Sequence, residues 1–308
     1  MSDTFSPPER IGFIGLGKMG IPMTRNLKKA GFQLALNDVN KEAVQAMSKE
    51  LDAPVYDDLS ELARACRVVI TMVPDGKIVR DVALGREGAP NSGLAAGFAR
   101  GSVLIDMSSS APMGTRKLGE ELAARGIHMI DAPVSGGVRR AITGQLAVMI
   151  GGDAAVIERC RPVLGAMGAQ LFIVGELGAG DAIKAINNYV SATGLLAAAE
   201  GLVAAQRFGL DPHKALEVIN ASTGKNNSTE VKFEQFVMSR SFGSGFSIAL
   251  MAKDLRTALE LADQVKAPMP LGSHCVPLWN DAEKSLGGTA DHTEIVRVLE
   301  KLTGQELR

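Results

Sequence analysis

The sequence predicts an α/β protein in which a doubly wound, mostly parallel sheet is followed by an all-helical domain. Three observations carry that prediction. From residue 11 to about residue 174, short uninterrupted apolar runs alternate with helical patterns, as βαβ units in a sheet covered on both faces require. Glycine is abundant, at 34 of 308 residues, against a usual share of about 7%, which fits tight strand–helix turns. Beyond Gly175 the strand-like runs stop and only helical patterns remain. About two domains are expected at this length. The change of pattern puts their boundary near residue 176: an α/β domain over residues 1–175, with residues 1–9 as a tail, then a helical domain over residues 176–308.

The elements follow in order. Residues 11–14 read as the first strand, and residues 34–36 end a second run before the polar pair Asn37-Asp38. Residues 68–73 form a third run closed by Pro74, and residues 102–105, 127–130 and 146–150 end at Asp106, Asp131 and Gly151-Gly152. Amphipathic stretches at 41–50 and 115–125 supply helices between them. Residues 181 to about 208 are rich in Ala and Leu and free of Pro, which predicts one helix of roughly 40 Å. That helix is apolar on most faces, so it is expected at the centre of the packing. Further helices are expected at 211–221, 229–239, 248–265 and 270–286, with a last one from His292.

Composition excludes several classes of function. The formal net charge is −1, so no basic excess points to nucleic acid or to an anionic membrane surface. No run of about 18 apolar residues occurs, and the first ten residues hold two acids and two prolines but no apolar run, so neither a membrane span nor a secretory signal is expected. Cys66, Cys160 and Cys275 are too far apart for a disulfide framework, which fits a reducing, cytoplasmic setting. His128, His213, His274 and His292 are scattered, and no metal site is expected. Thirteen methionines fill a core that has only ten Phe, two Tyr and one Trp.

Three motifs carry chemistry. Gly15-Leu16-Gly17-Lys18-Met19-Gly20 follows the first strand and opens a helix. Its first glycine makes the turn, its second lets backbone N–H groups approach a pyrophosphate, and its third permits close helix packing. Asp38, about 20 residues beyond the second glycine, ends the second strand where a carboxylate can accept both ribose hydroxyls. A 2′-phosphate would be repelled there, and no Arg follows, since Val39 and Asn40 come next. NAD is therefore expected over NADP, with Asn37 beside the ribose site. The second motif, Asp131-Ala-Pro-Val-Ser-Gly-Gly137, ends a strand in a hydroxyl and successive N–H groups, a cradle suited to a carboxylate or simply a turn. In the third, Lys184 and Asn188 stand i,i+4 at the start of the long helix. A lysine in an apolar helix either snorkels to water or is held there as a general acid–base.

With these blocks in order, the chain resembles the β-hydroxyacid dehydrogenases, the group that contains 3-hydroxyisobutyrate dehydrogenase and tartronate semialdehyde reductase. The resemblance runs nearly end to end. It rests on Gly12-Phe-Ile-Gly-Leu-Gly-Lys-Met-Gly20, Asp106-Met-Ser-Ser-Ser-Ala-Pro112, residues 131–137, residues 178–188 and Met251-Ala-Lys-Asp-Leu255. It implies a Rossmann-type domain joined by a long interdomain helix to an all-α domain, and NAD(P)-dependent oxidation of a small 3-hydroxy acid. By that resemblance Lys184 is the catalytic lysine and Asn188 a substrate contact. Ser135, Gly136 and Gly137 would bind the substrate carboxylate, Ser109 and Lys253 would contact the cofactor, and Val73 and Pro74 would pass beneath it at the end of the family's fourth strand. A homodimer or homotetramer is expected.

Two departures bear on the site. The family usually has Ser-Thr where this chain has Ser108-Ser109, which keeps a hydroxyl but loses a methyl. Asn227 stands where the 3-hydroxyisobutyrate enzymes place an aromatic residue, so either it meets a more hydroxylated substrate or the loop touches no ligand. Arg139-Arg140 could meet a second anion but is read as a solvated loop pair. Three rivals are tested by the rest of the chain: an oxidative decarboxylase of the 6-phosphogluconate type, a non-catalytic NAD-binding protein, and a methyltransferase, which the all-helical second half disfavours.

Overall fold

A computed structural model describes residues 4–89 and 92–308; residues 1–3 of the expected tail lie outside it. The chain divides into two compact units, residues 1–184 and residues 185–308.

The first unit is built on one sheet. Its strands are β1 (Arg10–Ile14), β2 (Gln33–Asn37), β3 (Val68–Thr71), β4 (Val103–Asp106), β5 (His128–Asp131), β6 (Val134–Ser135), β7 (Leu146–Gly151) and β8 (Gly168–Gly175). They lie in the order β2-β1-β3-β4-β5-β7-β6, with β8 on β7. The first five are parallel, whereas β7 runs antiparallel to β5 and β6. A parallel bridge from Leu36 to Val55 continues the sheet beyond β2, which makes β3 the fourth strand of the doubly wound pattern. The order reverses between β1 and β3, the switch point at whose carboxyl edge such sheets bind ligands.

Alternation explains why these strands are apolar throughout. Ile11, Phe13, Leu34, Leu36, Val68, Ile70, Val103, Ile105 and Ile130 feed one core, while Ala35, Val69, Leu104 and Met129 feed the other. Both faces are therefore covered, by helices α1 (Gly20–Lys29), α2 (Lys41–Leu51), α3 (Leu59–Ala65), α4 (Gly76–Leu84), α5 (Pro112–Ala123), α6 (Gly137–Thr143) and α7 (Ala154–Gly165). Asn40, Asp58, Asp75 and Asp153 each accept backbone N–H groups at a helix start, which satisfies donors a helix leaves open. Phe5 is wholly buried beneath the guanidinium groups of Arg67 and Arg159, so residue 5 of the expected tail is packed into this unit.

Helix α8 (Ala179–Phe208) has 30 residues and begins in the first unit. The second unit holds the rest of it with α9 (Pro212–Asn220), a π-helical segment (Ser228–Met238), α10 (Ile248–Gln264), α11 (Pro270–Leu286), a short 3-10 turn (His292–Ile295) and α12 (Val296–Thr303). Its core gathers Ala192, Leu195, Ala199 and Leu202 of α8 around Phe233, Leu255 and the fully buried Trp279. Leu196 and Val203 of α8 are buried along with those four residues, whereas Ile186 and Val190 are 42% and 62% exposed, because the chain's own elements cover only part of the helix circumference. No helix of the described residues is long and apolar enough to cross a membrane.

Candidate active site

The glycine-rich loop leaves the carboxyl end of β1. Gly15 has φ +102°, and a Cβ on it would collide with the Met72 carbonyl; a Cβ on Gly20 would collide with the Gly15 carbonyl. A Cβ on Gly17, by contrast, would meet nothing within 4 Å. Gly15 thus lets the turn pack against the chain leaving β3, Gly20 closes it onto its own backbone, and the middle one faces open space, as the approach of a pyrophosphate to the backbone requires. Lys18 is exposed and Met19 partly so, whereas Leu16 turns into the core.

Asp38 is partly exposed and already anchors the loop: one carboxylate oxygen accepts the Leu16 N–H and the other the Asn40 N–H at 2.6 Å. Asn37 supports it from below, its side chain donating to the Tyr56 carbonyl at 2.6 Å and its carbonyl accepting from Gly15 at 3.1 Å. On the other side of the switch point, the Val73 N–H donates to Ser108 Oγ at 3.0 Å. Ser110 Oγ donates to Asp106 at 2.8 Å, and both Ser108 and Ser110 are buried. Ser109 lies between them and is the partly exposed one, and Pro74 is exposed. These residues fit a dinucleotide: a cleared backbone, an acid at the ribose position and outward hydroxyl and apolar groups across the switch.

Lys184 is only 9% exposed, and its Nζ donates to the Val134 carbonyl at 2.8 Å. Val134 precedes Ser135, which is partly exposed, and Gly136 and Gly137, which are exposed at φ +122° and +63°. The lysine and the Ser-Gly-Gly turn therefore stand side by side within the first unit. Arg139 and Arg140 are exposed, as a solvated pair would be.

In the second unit, Asn188 is 7% exposed and its amide donates to Asp254, itself 2% exposed. Lys253 Nζ lies 3.3 Å from the other Asp254 oxygen. Of the asparagine pair, Asn226 turns inward: its Oδ1 accepts from Ser228 and Thr229 at 2.8 and 3.1 Å, and its Nδ2 donates to the Gly194 carbonyl. Asn227 is exposed. Among the described residues, no group of three or more His, Cys, Asp or Glu side chains is arranged to hold a metal ion.

Similarity to known proteins agrees with this geometry. Residues 10–175 match the family model for the NAD-binding domain of 6-phosphogluconate dehydrogenase. Residues 178–299 match that for the NAD-binding region of NADP-dependent 3-hydroxyisobutyrate dehydrogenase. Over 295 residues the chain is 36% identical to 2-(hydroxymethyl)glutarate dehydrogenase of Eubacterium barkeri, covering 96% of each. The chain belongs to the β-hydroxyacid dehydrogenases. Within that family it is also 33% identical to 2-hydroxy-3-oxopropionate reductase of Escherichia coli over 97% of this chain and 99% of the other. A solved structure of 3-hydroxyisobutyrate dehydrogenase from Mycobacterium tuberculosis with L-serine superposes with a TM-score of 0.85 at 32% identity, covering 94% of this chain and 99% of that one.

In this β-hydroxyacid dehydrogenase, buried carboxylates to which the sequence assigned no role hold the start of α8. Asp131 is wholly buried, and its two oxygens accept the N–H groups of Gly178 and Asp181, each at 2.7 Å. Asp181 in turn accepts from Thr115 Oγ1 at 2.7 Å and from the Ser110 N–H at 3.2 Å. Burial pushes both carboxyls above their ordinary range, that of Asp181 well above, with the neighbouring Asp106 and Asp131 adding to it. Their one sequence signal is position: Asp106 and Asp131 each end an apolar strand, and Asp181 stands in a helix's first turn. Asp254 was visible only inside the block Met251–Leu255, yet it is the group that accepts from the Asn188 amide.

Proposed function

We propose that this β-hydroxyacid dehydrogenase interconverts a small 3-hydroxy acid and its semialdehyde or 3-oxo acid, with Lys184 as general acid–base and NAD preferred to NADP. The observation that carries the reading is the buried Lys184 ammonium held at the Val134 carbonyl, beside the Ser135–Gly137 turn. One group able to move a proton and one able to hold a carboxylate thus adjoin.

When bound, the nicotinamide cofactor supplies the hydride acceptor for oxidation and the donor for reduction. In the oxidative direction, neutral Lys184 takes the hydroxyl proton as the carbinol C–H electron pair departs, leaving a C=O group; in reduction the protonated lysine returns that proton to the forming alkoxide. Ser135, Gly136 and Gly137 hold the carboxylate, and Asn188, its amide oriented by Asp254, holds the hydroxyl. Asp38 and Asn37 take the adenosine ribose, Gly15 to Gly20 the pyrophosphate, and Val73, Pro74, Ser109 and Lys253 the remainder of the cofactor. The acid at Asp38 with no arginine after it supports NAD over NADP.

Initial rates of NADH and NADPH formation on 3-hydroxyisobutyrate, glycerate, serine, threonate and 3-hydroxypropionate test the reading. Turnover of one of these, faster with NAD than with NADP, is expected. Cofactor binding without turnover would mean either an untested, larger substrate or a non-catalytic protein. The match of residues 10–175 to a 6-phosphogluconate dehydrogenase model favours one second reading, oxidative decarboxylation; release of CO₂ with NADH would identify it. A homo-oligomer, supported by the exposed Val190 and Phe208 of α8, should elute above monomer mass. The three buried free cysteines support a cytoplasmic setting.

A further inference from the structure

Lys232, in the π-helical segment, is a charged group that the reaction above does not use. Its Nζ donates to Ser191 Oγ at 3.0 Å, and both residues are partly exposed. Ser191 follows Asn188 by three residues on α8, so the two share a helix face with a rise of about 4.5 Å. The ammonium therefore stands one turn beyond the amide assigned to the substrate.

Asp291 is the carboxylate whose charge favours the Lys232 ammonium, but among the described residues it makes no ion-pair contact with it. Asp291 is already engaged, accepting from Thr293 Oγ1 at 2.6 Å, from Ser244 Oγ at 2.7 and 2.8 Å, and from the Gly245 and Thr293 N–H groups at 2.9 and 3.0 Å. Its neighbour His292 is kept uncharged by burial and by the lysine's own charge, its pKa driven down to about 4. Among the described residues Lys232 forms no ion pair. Burial lowers its own pKa only to about 8, so it stays largely charged near neutrality. Its Nζ is bound to the neutral Ser191 Oγ and, among the described residues, contacts no carboxylate, so it keeps donors for an anionic ligand, which offsets the cost of desolvating an ammonium.

We propose that Lys232, with Ser191, receives a second carboxylate on the substrate, so that the enzyme favours dicarboxylic 3-hydroxy acids over monocarboxylic ones. The proposal rests on the placement of the substrate hydroxyl at Asn188. It locates second-anion recognition in the helical unit rather than at the exposed Arg139-Arg140 pair.

The test compares kcat/KM for 2-(hydroxymethyl)succinate and for 3-hydroxyisobutyrate in the wild type, Lys232→Met and Lys232→Arg. The dicarboxylate-to-monocarboxylate ratio should fall about 10- to 100-fold in Lys232→Met, chiefly through KM, and recover substantially in Lys232→Arg. If the methionine variant does not fold, Lys232→Gln removes the charge while retaining a donor for Ser191. A ratio within about two-fold of wild type in the folded neutral variant overturns the proposal and makes Lys232 a structural partner of Ser191. If the wild type oxidises 3-hydroxyisobutyrate and the ratio ignores position 232, only this proposal fails. If the wild type oxidises neither acid but turns over another hydroxy acid of the panel above, only this proposal fails; if it oxidises none of them, the hydroxy-acid reading fails and the subsite falls with it.

Discussion

The Lys184 ammonium donates to the carbonyl oxygen of Val134 at 2.8 Å, although fifty residues separate the two in sequence. A carbonyl accepts from the charged and the neutral amine alike, so this bond orients the side chain without committing its proton. The next residue, Ser135, begins the turn assigned to the carboxylate. Lys184→Ala should therefore lower kcat by about 10²–10⁴ while leaving the NAD⁺ dissociation constant little changed, since the glycine loop and Asp38 lie on other elements. Steady-state rates beside calorimetric titration check this; wild-type turnover in the variant would remove Lys184 from the chemistry.

Asp131 holds the helix that carries that lysine. Removing its carboxylate strands two buried N–H donors, those of Gly178 and Asp181, at about 1–3 kcal/mol each. Asp131→Ala should lower unfolding stability by about 2–6 kcal/mol, and Asp131→Asn, which keeps one acceptor oxygen, by less. Denaturant titration of the two variants measures the difference. Equal losses would mean that only one of the two bonds matters.

The Asp38 oxygens proposed to meet the ribose also accept from Leu16 and Asn40, which would couple cofactor choice to loop geometry. Asp38→Arg replaces repulsion of a 2′-phosphate by a bidentate donor. It should raise the ratio of NADP to NAD kcat/KM by about tenfold or more. An unchanged ratio would detach Asp38 from the ribose.

His292 makes the helical unit acid-sensitive. Burial first, and then the charge of Lys232, hold its pKa at about 4, against the opposing pull of Asp291. The unfolded imidazole titrates near 6.5. The folded state thus binds this proton less readily, so the stability linked to His292 is complete above about pH 6.5 and drains as pH falls toward 4. The loss should be on the order of 3 kcal/mol across that window, and His292→Gln should flatten the profile. Unfolding titrations at several pH values between 7 and 4 will show it, and equal slopes in both proteins would acquit His292.

Much of the site was legible because its signals are local. The glycine loop, the acid ending β2 and the lysine–asparagine step on α8 are each set by spacing within one βα unit or one helix. Three things were not legible. Residues of β8 such as Phe172 and Ile173 are apolar yet about half exposed, so their run carries no inside–outside pattern. Nothing in Asn226-Asn227 says which side chain turns inward; the Gly194 carbonyl on α8 decides it. The Asp131 acceptors depend on N–H groups 47 and 50 residues away.

The sequence by itself determined the fold class, the dinucleotide loop and the candidate proton carrier, because strand and helix periods and glycine turns are written in neighbouring residues. Only the tertiary structure decided what holds that lysine, which carboxylates support its helix, and that Lys232 donates to Ser191 and, among the described residues, forms no ion pair. Those are facts of burial and of partners distant in sequence, and both exist only once the chain has closed around them.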